Sequence, residues 1–136
     1  MNKKNVVILF LCFFTIYITV NACRLHLKYK LLKSDIHGMG VFSTDKIKKN
    51  EIIDIVMTRN NNITNITPYF GSMINHCSKK DNTKLLSKLK NKSDNKYEGT
   101  YYLVPKEDIE PNTELTINYN NTPYFIKKAE NHYVKC

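Results

Sequence analysis

The feature that most constrains this chain is a succession of short extended patterns separated by turn-forming residues. Residues 24–31 alternate polar and apolar side chains with a period of two, as a half-buried strand does. Strand-forming runs return at three further places, 51–56, 99–104 and 114–117. The Asn-rich stretch 58–67 predicts a loop, and only 84–90 has a helical pattern. The sequence therefore predicts a mostly β fold of short strands without a long helix.

The first 22 residues are set apart from this pattern. A short basic start precedes an apolar run over 6–20. Its fifteen residues would reach about 22 Å as a helix, less than the roughly 30 Å hydrocarbon core. Small side chains at 20–22 suit a signal peptidase. A cleaved signal peptide (1–22) and an uncleaved anchor with membrane association through 6–23 both remain open. Either one predicts the secretory route, with a secreted or membrane-anchored product. If the segment serves neither role, the expected location is the interior of the host cell.

Length and charge limit the remaining possibilities. The chain has 136 residues, which is room for one domain. Its formal charge is +9, from 21 basic and 12 acidic residues, yet only Arg24 and Arg59 are arginine. Phosphate and base recognition favours arginine forks with interleaved aromatic residues. The charge is therefore better explained by a general preference for lysine and asparagine than by a specific nucleic-acid surface.

The cysteines do not form a framework that the sequence can assign. Cys12 leaves with a cleaved signal peptide, so three remain, Cys23, Cys77 and Cys136. No pair has the CxxC spacing of a zinc site, and no metal is predicted. Cys23 and Cys136 flank the folded body and are one candidate pair.

Two segments of the chain repeat the same short pattern. Residues 45–52 and 107–115 each contain an isoleucine, two further residues, an asparagine and then a glutamate that enters a strand. Such a pattern is typical of a tight turn in which one residue takes a left-handed conformation, and asparagine tolerates that conformation best after glycine. We expect the chain to form the same turn twice.

Three segments, in this order, carry a family resemblance. The first is Gly38-Met39-Gly40-Val41-Phe42 followed by the turn into Glu51-Ile52. The second is Asn75-His76-Cys77-Ser78, and the third runs from Asp108 to Tyr119. Together they resemble the signatures of the SET domain over roughly residues 24–125. The small size is similar to that of compact virus-encoded members. The resemblance divides the chain into a SET domain at 24–120 and a C-terminal tail at 121–136.

The resemblance implies a SET-type β-clip of small sheets with a threaded C-terminal segment. It also implies transfer of a methyl group from S-adenosylmethionine to a lysine amine of a protein substrate, such as a histone-like tail. The residues that match the cofactor-binding positions are Gly38, Met39, Gly40, Asn75, His76 and Tyr119.

Tyr119 also matches the catalytic position, where its hydroxyl would direct the amine. Tyr124 and Phe125 correspond to aromatic residues that line the substrate lysine channel in compact members. The interval between Glu51 and Asn75 is short for the family, which shortens the expected substrate groove. The alternative is therefore a non-catalytic SET-like β-clip that binds a protein or a polyanion through its lysine-rich surface.

Overall fold

The computed structural model of the protein describes residues 27–89, 97–130 and 136, and these residues confirm the mostly β prediction. The signal or anchor segment predicted at residues 1–22 lies outside these ranges. Two short 3-10 turns occur at Gly71–Met73 and Tyr119–Asn121. In the described part of the chain no helix is long and apolar enough to cross a membrane. The described residues contain eight strands: β1 Tyr29–Lys33, β2 Met39–Ser43, β3 Ile55–Asn60, β4 Ile63–Ile66, β5 Asn75–His76, β6 Thr83–Leu89, β7 Gly99–Pro105 and β8 Thr116–Ile117.

The strands form three small sheets around one core. β1 pairs with β2, the four-stranded sheet has the order β4-β3-β7-β6, and β5 pairs in parallel with β8. β7 lies between β3 and β6, and most of its residues are buried. The buried apolar cluster is contributed by β2, β3, β7, β8 and the segments that connect the strands: Val41, Ile47, Val56, Met57, Phe70, Ile74, Tyr101, Leu103, Ile109, Leu115 and Ile117.

The repeated turn is confirmed, and its two copies pack against each other. Ile47 and Ile109 exchange two backbone hydrogen bonds, of 2.9 and 2.8 Å. Asn50 and Asn112 each have a φ of 61°, the left-handed conformation that the pattern predicts. Each asparagine also donates its backbone N–H across to the other half of the fold, Asn50 to Pro105 and Asn112 to Ser43. The turn that follows β2 is therefore bonded to the end of β7, and the turn that follows β7 is bonded to the end of β2.

The loop predicted at 58–67 is wrong, because most of it forms a β-hairpin. β3 continues to Asn60 and pairs with β4 through a turn of two residues, Asn61 and Asn62. Their φ angles are 49° and 63°, and a two-residue hairpin of this kind needs positive φ at both positions. Asparagine supplies that conformation, so the polar composition marks the turn rather than a loop.

The helix predicted at 84–90 is also wrong. Residues Thr83–Leu89 form β6, which pairs with the whole length of β7, from Thr83 opposite Pro105 to Leu89 opposite Gly99. Lysine and leucine favour a helix locally. An unbroken ladder with a buried neighbouring strand outweighs that weak preference.

The end of the SET region lies deep in the fold. β8 lies beside β5, and Asn82 and Thr83 hold it from the other side. The Asn82 amide donates to the Glu114 carbonyl (2.8 Å), and the Thr83 hydroxyl donates to that of Thr116 (2.7 Å). This arrangement brings the second and third sequence signatures together.

The expected pairing of Cys23 with Cys136 is not found, because Cys136 forms a disulfide with Cys77. Cys23 lies outside the described residues. Since Cys77 follows β5 directly, the bond brings residue 136 to the strand that carries Asn75 and His76. Sequence distance alone favoured the wrong partner for Cys136.

Candidate functional site

Tyr119 is held by the residues on both sides of Asn75. Its hydroxyl donates to the Ile74 carbonyl at 2.6 Å, and its backbone N–H donates to Nδ1 of His76 at 3.0 Å. The His76 and Tyr119 rings lie with their centroids 5.1 Å apart. The parallel pairing of β5 with β8 produces this contact, because it places the start of the 3-10 turn at Tyr119 beside β5. The structure thus brings Tyr119 next to the segment that carries Asn75.

The His76 ring supports Tyr119. Because Nδ1 accepts a hydrogen bond, the neutral ring carries its proton on Nε2. The side chain is only 6% exposed. His76 therefore fixes the position of the tyrosine, and its ring nitrogen Nδ1 is not available to a ligand in this arrangement.

The Asn75 amide joins the second signature to the first. Its Nδ2 lies 3.1 Å from the His37 carbonyl, 3.2 Å from that of Met39 and 2.8 Å from Glu114 Oε1. An amide NH₂ has two hydrogens, so these acceptors use its donor capacity fully. Within the described residues no donor reaches the Asn75 amide oxygen, which leaves that oxygen as the atom open to a ligand.

Glu114 is a site residue that sequence reasoning missed as such. It accepts hydrogen bonds at Oε1 from the Asn75 amide and from the Ser34 hydroxyl (2.7 Å). A Cβ at Gly40 would collide with the same carboxylate, so Gly40 is needed for this close approach. The available signal was the position of Glu114 in the third signature, four residues after Glu110 and next to β8.

The backbone around Gly38 faces open space. Gly38 has a φ of 53°, and a Cβ placed there would meet no atom within 4 Å. The Met39 side chain is 46% exposed. The first signature therefore presents an accessible backbone next to Asn75, while Gly40 is buried against Glu114.

A largely apolar cavity of about 400 Å³, called here the main cavity, lies beside Tyr119. Tyr119 and Phe125 are both on its wall, as expected for a channel. Tyr124 is 67% exposed and does not line it. The remaining lining residues are Val56, Met57, Thr64, Ile66, Gly71, Ser72, Ile74, Leu85, Ile117, Thr122, Ile126 and Lys127.

Phe125 is the centre of an aromatic cluster behind the main cavity. Its ring lies 5.6 Å from that of Tyr101, 5.6 Å from that of Tyr124 and 5.8 Å from that of Tyr97. Burial raises the pKa of Tyr101 above its ordinary value, and its hydroxyl donates to the Tyr97 carbonyl at 2.7 Å. The cluster fixes the Phe125 ring at the wall of the cavity.

A second, more polar cavity of about 340 Å³ is lined in part by Ile117, Asn118 and residues 121–123. It is lined by Asp81 and Lys106, which form an ion pair with each other, and it shares Leu85, Ile117 and Thr122 with the main cavity. In the described part of the chain, no three His, Cys, Asp or Glu residues are grouped closely enough to hold a metal ion.

Comparison with known proteins agrees with this architecture. The chain matches the SET domain over residues 38–120, more than half of its length, and it belongs to that family. A solved structure of similar fold is that of a Plasmodium falciparum protein named as a "putative histone methyltransferase", at 24% identity and a TM-score of 0.56. The match covers 72% of this chain and 97% of the Plasmodium chain. A search of curated proteins found no match.

Proposed function

We propose that this protein is a protein-lysine methyltransferase that uses S-adenosylmethionine. The observation that carries the proposal is the position of Tyr119, whose hydroxyl is bonded to Ile74, the residue before Asn75, and which also lines the main cavity. A methyl donor bound at the Asn75 segment and a lysine amine in the main cavity would thus both lie close to the same tyrosine. Membership of the SET family supports this assignment.

The residues of the first and second signatures fit the donor. The open space at Gly38 lets a ligand approach the backbone closely, although the Gly38 carbonyl itself already accepts from the Ser34 N–H at 2.9 Å. The Asn75 oxygen can accept from an amine or ammonium group. Glu114 provides a negative charge beside them, which suits the ammonium of an amino-acid end. When bound, S-adenosylmethionine would supply an electrophilic methyl group on a sulfonium. Gly38, Met39, Gly40, Asn75, His76 and Tyr119 remain the proposed cofactor-binding set.

The main cavity fits the substrate amine. A lysine has an ordinary pKa of about 10.4, so its neutral form costs about 4–5 kcal/mol at pH 7. Apolar walls reduce that cost because burial disfavours the ammonium form. Tyr119 and the Ile74 carbonyl present two oxygens at the wall, which can direct the neutral amine in line with the methyl group.

The short interval between Glu51 and Asn75 still builds a substrate wall. It forms β3, β4 and the turn Gly71–Met73, and it contributes Val56, Met57, Thr64, Ile66, Gly71 and Ser72 to the cavity. This contribution favours an active enzyme over a purely structural β-clip. A lysine-bearing protein segment is the proposed partner. The virus-encoded subtype, a histone-like tail as substrate, membrane association and the compartment remain predictions.

The test combines binding with transfer. Calorimetry of the full chain with S-adenosylmethionine should give a saturable heat, and radiolabelled methyl groups should appear on lysine in a peptide library. Asn75→Asp is a matched variant, since it keeps the size of the side chain but replaces the amide donors that hold the first signature. Binding without transfer to any lysine peptide would favour the non-catalytic alternative. The absence of both binding and transfer would reject the proposal.

A further inference from the structure

Arg59 is a buried cation whose charge the described residues do not neutralise. The side chain is 8% exposed and lies on the inner face of β3. Its terminal nitrogens donate to two neutral oxygens, Thr64 Oγ1 at 2.8 Å and Asn62 Oδ1 at 3.1 Å. Its guanidinium carbon lies 4.3 Å from the centre of the Phe125 ring. In residues 27–89, 97–130 and 136, no carboxylate forms an ion pair with it.

Such an arrangement is costly unless an anion completes it. A buried charge requires a counter-charge or several hydrogen bonds to offset its desolvation. Arginine has five N–H donors in a planar fork that matches a carboxylate. The ring of Phe125 and the two oxygens fix the orientation of that fork before any ligand arrives. Arg59 is therefore preorganised for an anion.

Arg59 lies next to the main cavity. Two residues that it contacts, Thr64 and Phe125, are part of the cavity lining. A compact cavity of about 400 Å³ is roughly 9 Å across, a distance that an extended peptide covers in about three residues. A peptide with its lysine at Tyr119 could thus present a neighbouring side chain to Arg59.

The charges of the residues that line the main cavity also favour a ligand with a carboxylate. Neither aspartate nor glutamate lines the main cavity, and its one charged lining residue, Lys127, is paired with Glu130. A uniformly basic peptide would be repelled by the Arg59 charge, and no acidic residue of the cavity lining offsets that repulsion. A peptide with a carboxylate close to its lysine would neutralise it.

We propose that Arg59 determines substrate specificity by binding the carboxylate of an aspartate or glutamate within about three positions of the target lysine. The inference rests on the proposed function, since it concerns the substrate of the same site. It names the substrate class as acidic or mixed-charge protein segments. A uniformly basic tail is disfavoured.

The experiment measures peptide binding separately from transfer. Fluorescent peptides carry norleucine in place of one central lysine, with glutamate, glutamine or lysine placed in turn at each of the three positions on either side. Anisotropy is recorded with the full chain and S-adenosylhomocysteine. At one or more positions the glutamate peptide should bind about 10- to 100-fold more tightly than the glutamine peptide. The ratio should fall as salt is raised.

Two variants assign the preference to Arg59. Arg59→Met should reduce the glutamate-to-glutamine ratio to about one, whereas Arg59→Lys should retain part of it because the charge remains without the fork. Lys88→Met is the matched control. Lys88 lies over the Tyr102 ring on the outer face of the same sheet, so its loss removes a positive charge and a ring contact without touching the cavity. If Arg59→Met does not fold, the ratios of the parent and of Arg59→Lys provide the test.

Several results would overturn the inference: equal binding of the glutamate and glutamine peptides to the parent, a preference that Arg59→Met leaves unchanged, or no binding of any peptide. Weaker S-adenosylhomocysteine binding in Arg59→Met, with peptide binding unchanged, would assign Arg59 to the cofactor and equally overturn it. Methyl transfer without acidic preference would reject this inference and leave the proposed function intact. Acidic preference without transfer from S-adenosylmethionine to the matching lysine peptides would reject the proposed function and leave this inference intact.

Discussion

The Tyr119 hydroxyl donates a 2.6 Å hydrogen bond to the carbonyl of Ile74, the residue immediately before Asn75. Two sequence signatures that are more than forty positions apart thus meet through one hydroxyl and one backbone oxygen. Because His76 holds the backbone N–H of the same tyrosine, the ring cannot move without disturbing β5. A ligand bound at Asn75 would therefore contact the same segment that holds Tyr119 in the wall of the main cavity.

Replacing Tyr119 by phenylalanine should reduce turnover far more than stability. Removal of one hydroxyl that directs a reacting group typically lowers the rate about 100- to 1000-fold. Loss of the hydrogen bond to Ile74 should lower the free energy of unfolding by about 0.5–1.5 kcal/mol. Radiolabelled methyl transfer and urea unfolding measure the two effects. The control is Tyr124→Phe, since Tyr124 is exposed and does not line the cavity. A Tyr119→Phe protein that works at the parent rate would exclude this hydroxyl from the mechanism.

Asn75→Ala should weaken both cofactor binding and folding. The His37 and Met39 carbonyls and the Glu114 carboxylate would lose their shared donor, at a cost of about 1–3 kcal/mol. Calorimetry with S-adenosylmethionine and urea unfolding check the two parts. Asn65→Ala, at an exposed position of β4, should change neither. Unaltered stability in Asn75→Ala would mean that the amide does not hold the first signature.

The left-handed turn at Asn112 predicts an unusual order of stability. Alanine and glycine there both lose the hydrogen bond that Lys30 donates to Asn112 Oδ1. Only alanine must place a Cβ at a φ of 61°. Asn112→Ala should therefore be less stable than Asn112→Gly by about 1 kcal/mol. Thermal or urea unfolding decides the order. At Asn65, in an extended strand, glycine should instead be the less stable variant.

The Tyr29 hydroxyl should make stability depend on alkaline pH. Burial, together with the 2.9 Å hydrogen bond to Asp54, raises the pKa of Tyr29 from 10.0 to about 12. Because the folded pKa exceeds the unfolded one, the stabilisation is complete below pH 10 and is lost as the pH rises toward 12. The stability difference between the parent and Tyr29→Phe should shrink over that interval in urea unfolding. A constant difference from pH 9 to pH 12 would contradict this assignment.

Reduction of the Cys77–Cys136 disulfide should destabilise the protein. The two cysteines are 59 positions apart, and a bond that closes a long loop typically contributes about 2–4 kcal/mol. Urea unfolding with and without a reductant measures the loss, and Cys77→Ser should make the protein insensitive to the reductant. Peptide mapping without reduction should recover a cross-link between residues 77 and 136. A cross-link between 23 and 136 would restore the pairing expected from sequence.

Local signals in the sequence were sufficient for the repeated turn and for the order of the motifs. The left-handed conformations at Asn50 and Asn112 follow from a property of asparagine itself, so the repeated pattern predicted both. The three signatures likewise identified the family. Such signals succeed because the relevant energies belong to one or two neighbouring residues.

Tertiary structure alone decided the features that depend on distant partners. The segment Thr83–Leu89 is a strand because β7 offers seven paired positions, although its own residues favour a helix. Cys136 pairs with Cys77, and Glu114 meets Ser34 and Asn75, through contacts that no spacing along the chain encodes. Arg59 could be recognised as a buried cation only once the hairpin and Phe125 enclosed it. The free energies of strand pairing, of burial and of electrostatic interaction depend on which distant groups meet in the folded chain.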